Sequence, residues 1–180
     1  MTPGVSGHGL NLNSHAYVTL KNPSMKAIGA WTATNFMIYA GGASYNSNSH
    51  LRIENPTIDC DKKCQGIFIQ NAPRFELLKP SITRFKTRGL VLGQSIWLGR
   101  VDGGGAIHEW DDGDANQLIT GAYEATGVEI LTGSGDIYLD VNVGWCDTCV
   151  DNNGSGVIVL GGHWYASMPV AGGRLGRVYI

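Results

Sequence analysis

GIFIQNAPRFELLKPSI, residues 66–82, lies without a gap over GLNLNSHAYVTLKNPSM, residues 9–25. Both copies open on glycine and then place apolar residues at every second position, Leu10 and Leu12 against Ile67 and Ile69. Both resume with Val18 and Leu20 against Phe75 and Leu77, turn at Pro23-Ser24 or Pro80-Ser81, and close on Met25 or Ile82. His50-Leu51-Arg52-Ile53-Glu54-Asn55-Pro56-Thr57-Ile58 repeats the second half of the unit. Phe36-Met37-Ile38-Tyr39 is its predicted opening strand, and Gly41 to Ser49, rich in Gly, Ser and Asn, is a predicted surface loop. A two-residue alternation is the signature of strands, because successive side chains of a strand point to opposite faces.

Further openers are predicted at Gly89-Leu90-Val91-Leu92, Gly135-Asp136-Ile137-Tyr138-Leu139 and Gly156-Val157-Ile158-Val159. Gly89 follows Gly66 by 23 positions (89 − 66). A period of about 20 to 25 residues belongs to solenoids. The strand-turn-strand units predict an all-β fold: a right-handed parallel β-helix with three short strands per coil and rungs about 4.8 Å apart. Three inward columns follow from the alignment: Val18, Leu51 and Phe75; Leu20, Ile53 and Leu77; Met25, Ile58 and Ile82. Residues 1–180 are expected to form one β-helix domain. Nothing before Gly9 resembles a cap, and Val178-Tyr179-Ile180 resembles the first strand of another coil, so a segment of a longer protein is expected.

Composition sets outer limits. Thirteen Lys and Arg stand against 15 Asp and Glu, a net charge of −2, and that near-balance argues against a nucleic-acid binder, which needs a clustered basic surface. No apolar run has the length of a membrane span, so no membrane insertion is expected. The four cysteines form one C-x3-C (Cys60, Cys64) and one C-x2-C (Cys146, Cys149). Between three and four coils separate the two pairs, too far for one shared zinc ion. Asp112, Asp114 and Asn116 alternate as calcium ligands do, but no bidentate Glu closes the loop, so neither a metal nor a cofactor is expected.

LRIENPTIDC (51–60), GIFIQNAPRFELLKPSI (66–82), GLVLGQSIWLG (89–99) and VIVLGGHWYAS (157–167) resemble the coils of pectate-lyase-like parallel β-helix proteins. Within that group the chain is most similar to the shaft of bacteriophage tail spikes. The resemblance implies a homotrimer on the virion, joined to other tail-spike domains or virion proteins. It also implies binding, and often cleavage, of a bacterial surface polysaccharide such as capsule or O-antigen. The alternative is a non-catalytic receptor-binding or structural shaft.

Chemistry is expected first in GRVDGGGAIHEWDDGDANQ, residues 99–117, a Gly-rich acidic stretch that reads as a loop inserted in a coil. Hydrolysis of a glycosidic bond takes two carboxylates flanking it, so Glu109, Asp111 and Asp112 are the catalytic candidates. Trp110 is placed to stack on a sugar and His108 to assist proton transfer. Arg84, Arg88 and Arg100, with Lys86, offer a cationic cluster for acidic sugars and for lyase chemistry. On the outward ladders Arg52 falls beside Glu76 and Lys21 beside Glu54, and Glu54, Glu76, Asp59 and Asp61 are the fallback carboxylates.

Overall fold

A computed structural model of the chain describes residues 7–109, 125–154, 158–161, 164–165 and 177–178. These form a right-handed parallel β-helix whose coils each contribute one strand to three parallel sheets. The first sheet stacks β1 (Leu10–Asn11), β4 (Phe36–Ala40), β7 (Gln65–Ile69), β10 (Arg88–Leu92), β13 (Thr126–Ile130), β16 (Thr148–Asn152) and β19 (Arg177–Val178). The second stacks β2 (Thr19–Lys21), β5 (Arg52–Glu54), β8 (Glu76–Leu78), β11 (Gly99–Asp102), β14 (Ile137–Asp140) and β17 (Ile158–Gly161). The third stacks β3 (Ser24–Lys26), β6 (Thr57–Asp59), β9 (Ser81–Thr83), β12 (Ala106–His108), β15 (Asn142–Gly144) and β18 (Trp164–Tyr165).

The expected columns stand in register. Leu20 pairs with Ile53 and Ile53 with Leu77. Met25 pairs with Ile58 and Ile58 with Ile82. Ile53, Leu77, Ile58 and Ile82 are fully or almost fully buried, as are Leu51 and Phe75. Each such side chain contributes roughly 1.5–3 kcal/mol, so the column, not any one strand of three residues, holds the fold.

Two expectations are corrected. The stretches after Gly135 and Gly156 do not open coils: β14 and β17 lie in the second sheet, and β13 and β16 are the true openers. The break in phase falls where the long segment between Glu109 and Ala125 interrupts the period. Nor is 99–117 a single loop, because its first ten residues supply β11 and β12, in register with β8 and β9. The Gly103-Gly104-Gly105 run that suggests a loop is the tight turn between those strands. Gly103 (φ +91°) takes the left-handed position held by Asn22, Asn55 and Lys79 in the coils below. Asn55 Nδ2 donates to Asn22 Oδ1 (2.9 Å) along that column.

A second left-handed column turns the chain from the first sheet into the second. It consists of Tyr17, His50, Arg74, Leu98 and Asp136, with φ between 51° and 62°. Non-glycine residues there cost about 1–2 kcal/mol each relative to Gly. The neighbouring column meets the same demand mostly with Asn and Gly, Lys79 being the exception. This corner instead holds bulky aromatic, cationic and aliphatic side chains outward.

Candidate functional site

The second sheet presents two outward columns. One runs Thr19, Arg52, Glu76, Arg100, Tyr138. The other runs Lys21, Glu54, Leu78, Asp102 and then Asp140, which follows from the pairing of Val101 with Leu139. Arg52 bridges two carboxylates: its Nε donates to Glu54 Oε1 (2.6 Å) and its Nη1 to Glu76. Lys21 Nζ lies 4.0 Å from Glu54 Oε2. Arg100 Nε donates to Asp102 Oδ2 (2.8 Å), and its guanidinium lies 5.4 Å from the centre of the Tyr138 ring.

The left-handed corner flanks this face. Tyr17 and His50 stack on successive rungs, ring centres 4.7 Å apart and planes 9° from parallel. Tyr17 is 77% exposed and Leu98 61%. Two clefts of about 450 and 400 Å3 meet here and share His50 and Arg74 as walls. The larger takes in Arg52, Glu76, Leu98 and Arg100, and the smaller Tyr17 and Tyr45. Tyr45 is carried by the loop 41–49, which forms as expected. Its buried Asn48 pins it by donating to the Ala40 (2.9 Å) and Gln70 (3.0 Å) carbonyls.

The expected site residues separate. Glu109 is buried, pairs with Lys62 Nζ (2.8 Å) and accepts the Ala125 N–H (3.1 Å). It therefore joins the residues that flank segment 110–124. His108 is buried edge-on against Trp145, ring centres 4.6 Å apart. Trp110, Asp111 and Asp112, like Asp114, lie outside the described residues. The cationic cluster does not assemble: Arg84 sits at the corner after the third sheet, Arg88 on the first sheet and Arg100 on the second. Each is also engaged. Arg84 Nε donates to Asp59 Oδ1 (2.8 Å) and its Nη1 lies 3.0 Å from Asp61 Oδ1. Arg88 donates to Gln65 Oε1 (2.7 Å) and Glu129 Oε2 (3.0 Å).

These pairs set the charge states. The Arg52 hydrogen bond holds Glu54 below the usual carboxylate range, against partial desolvation. Burial pushes Asp59 up, but hydrogen bonds from Arg84 and the Asp61 N–H, with the Arg84 and Lys26 charges, outweigh it and hold it low. The Lys63 hydrogen bond does the same for Asp61. Carboxyls that bind protons more weakly folded than unfolded stabilise the fold above the unfolded value, near about pH 4, and lose that contribution as pH falls through the lower folded values. The urea midpoint is therefore expected to hold level down to about pH 5 and to fall below about pH 4. In Asp59→Asn the fall should be shallower; an unchanged acid slope would contradict these assignments.

The cysteines are free and buried. A hydrogen bond with Cys64 and burial push the Cys60 thiol well up, burial does the same to Cys146, and it lifts Cys149 to about 11. Such thiols are poor nucleophiles and poor ligands at neutral pH. No three metal-ligating side chains gather among the described residues.

Several residues of this face escape a reading of the sequence. Asp102 and Asp140 become neighbours across residues 110–124, whose length hides the register. Burial acts upward on Asp102, but the Gly103 N–H, Arg100 and contact with the Asp140 carboxyl together hold it below the usual range. Tyr17, His50 and Arg74 do align one position before the inward column. What the alignment lacks is the left-handed backbone that turns them outward. No protein-family model, curated protein or solved structure matches this chain.

Proposed function

We propose that the chain is a shaft segment of a phage tail-spike-like protein and binds a bacterial surface polysaccharide, capsule or O-antigen, along the outer face of its second sheet. One observation carries this reading: the exposed Tyr17–His50 stack stands at the junction of two clefts bordered by Arg52, Glu76 and Arg100. A sugar offers an apolar ring face to an aromatic plane and a rim of hydroxyls to charged side chains. Rungs about 4.8 Å apart repeat such contacts along a polymer. By its resemblance the assembly is a homotrimer on the virion, acting at the bacterial surface.

A second reading adds cleavage. Asp102 and Asp140 stand on adjacent rungs with their carboxyls in contact, and retaining hydrolysis would have them part to about 5–5.5 Å around the bound sugar. Asp102, held ionised, suits the nucleophile or base. An elimination is less well served, since Arg84, Arg88 and Arg100 already hold carboxylates or amides.

A bacterial polysaccharide array tests binding. Tyr17→Ala is expected to weaken the bound glycan about five- to tenfold, the loss of roughly 1–1.5 kcal/mol of ring contact. Binding unaffected by Tyr17→Ala would remove this face from consideration. Reducing-end release that falls at least about 100-fold in Asp102→Asn establishes hydrolysis here, whereas binding without product leaves a receptor-binding shaft.

A further inference from the structure

We infer that the polysaccharide is acidic and that Arg74 receives its carboxylate. This rests on the polysaccharide reading above and specifies its substrate class. Five arginines have described side chains. Four of them are engaged: Arg52 with Glu54 and Glu76, Arg84 with Asp59 and Asp61, Arg88 with Glu129, and Arg100 with Asp102. The Arg74 guanidinium is exposed and has no hydrogen-bond or ion-pair partner among the described residues.

Its position is as telling as its vacancy. Arg74 is a wall of both clefts, between the Tyr17–His50 stack below and Leu98 above. Tyr17, His50, Arg74 and Leu98 occupy four successive rungs, spanning about 14 Å at rung spacing. Arg74 also sits in the left-handed backbone region (φ +62°), where Asn or Gly is the relaxed choice. The turn itself therefore does not call for arginine. Nearby, Arg52 pairs with Glu54 and Glu76 and Arg100 with Asp102, so Arg74 is the guanidinium of the groove that has no ion-pair partner among the described residues. A planar guanidinium with its donor fork vacant matches a carboxylate bidentately. A sugar acid seated on Arg74 places the neighbouring sugars of the chain against the Tyr17–His50 rings on one side and Leu98 on the other.

The test uses bacterial capsular polysaccharides, acidic and neutral, and the acidic ones again after their carboxyls are reduced to alcohols. Those bound by the full chain are expected to be acidic. Reduction is expected to weaken them about 10- to 100-fold, the range of a hydrogen-bonded charge pair. Arg74→Asn should lose the same factor while its melting temperature stays level or rises, and the difference between native and reduced polymer should vanish in it. Arg74→Lys, which keeps the charge without the fork, should recover only part of the loss. Binding that ignores carboxyl reduction, or a native-to-reduced ratio unchanged in Arg74→Asn, overturns the inference and leaves polysaccharide binding standing. No binding to any polymer would overturn both.

Discussion

Phe75→Ala is expected to lower the unfolding free energy by about 3–5 kcal/mol, the range for removing a buried phenyl ring. Phe75 is fully buried, in the column that runs Val18, Leu51, Phe75, Gly99, Ile137. Gly99 on the next rung leaves the space that the ring fills, since a side chain at Gly99 would meet the Phe75 ring and Ile96. Gly99, the small member of the column, thus makes room for the ring, and truncation at Phe75 opens a void beside it. Phe75→Leu should recover much of the loss. Leu78→Ala, three residues on and outward in the same coil, should cost less than about 1 kcal/mol. Urea denaturation of the three variants measures the contrast. Similar losses at Phe75 and Leu78 would mean that the inward and outward faces are misassigned.

Gly66→Ala is expected to cost about 3 kcal/mol, by overpacking of backbone rather than loss of core. Gly66 opens β7, and a Cβ there would collide with the Gly89 carbonyl one rung above and with Ile82. The carbonyl belongs to the ladder between β7 and β10, so it cannot move aside without parting two coils. Gly127 repeats the arrangement against the Cys149 carbonyl (2.9 Å) and Val143. Gly104 is the control: its φ is +70° but nothing lies within 4 Å of an added Cβ, so Gly104→Ala carries only the conformational cost of about 1 kcal/mol. Equal effects at Gly66 and Gly104 would show that close approach of the coils is not what the glycine serves.

The architecture was legible because inward aliphatic residues recur at fixed offsets. Leu20, Ile53 and Leu77, and Met25, Ile58 and Ile82, could be placed on one another before any coordinate, and the Arg52–Glu76 and Lys21–Glu54 neighbours followed from the same register. Legibility failed where the period is interrupted. Residues 110–124 shift the phase, so the spacing in the sequence points Ile137–Asp140 to the first sheet and hides the Asp102–Asp140 contact. Glu109 looked like a loop carboxylate because its acidic neighbours suggest solvent, yet Lys62, from two coils below, buries and neutralises it. The basic residues misled for a related reason. Arg84 and Arg88 are close in sequence, but Arg84 stands at the corner and Arg88 on the first sheet beyond it, and each meets carboxylates from other coils. As a single arginine in a repeat, Arg74 carries no signal of its own in the sequence. Its significance comes from lacking the partner that its fellows have.

Hydroxyl-radical footprinting with and without the polysaccharide bound tests most directly whether one face built from successive coils is the binding surface. Tyr17, Tyr45 and Leu98, all exposed and up to about 80 positions apart in the chain, are expected to lose reactivity together. Ile28, 52% exposed at a different corner, is expected to keep its own. Protection of Ile28, or of only one member of the first group, would contradict the account.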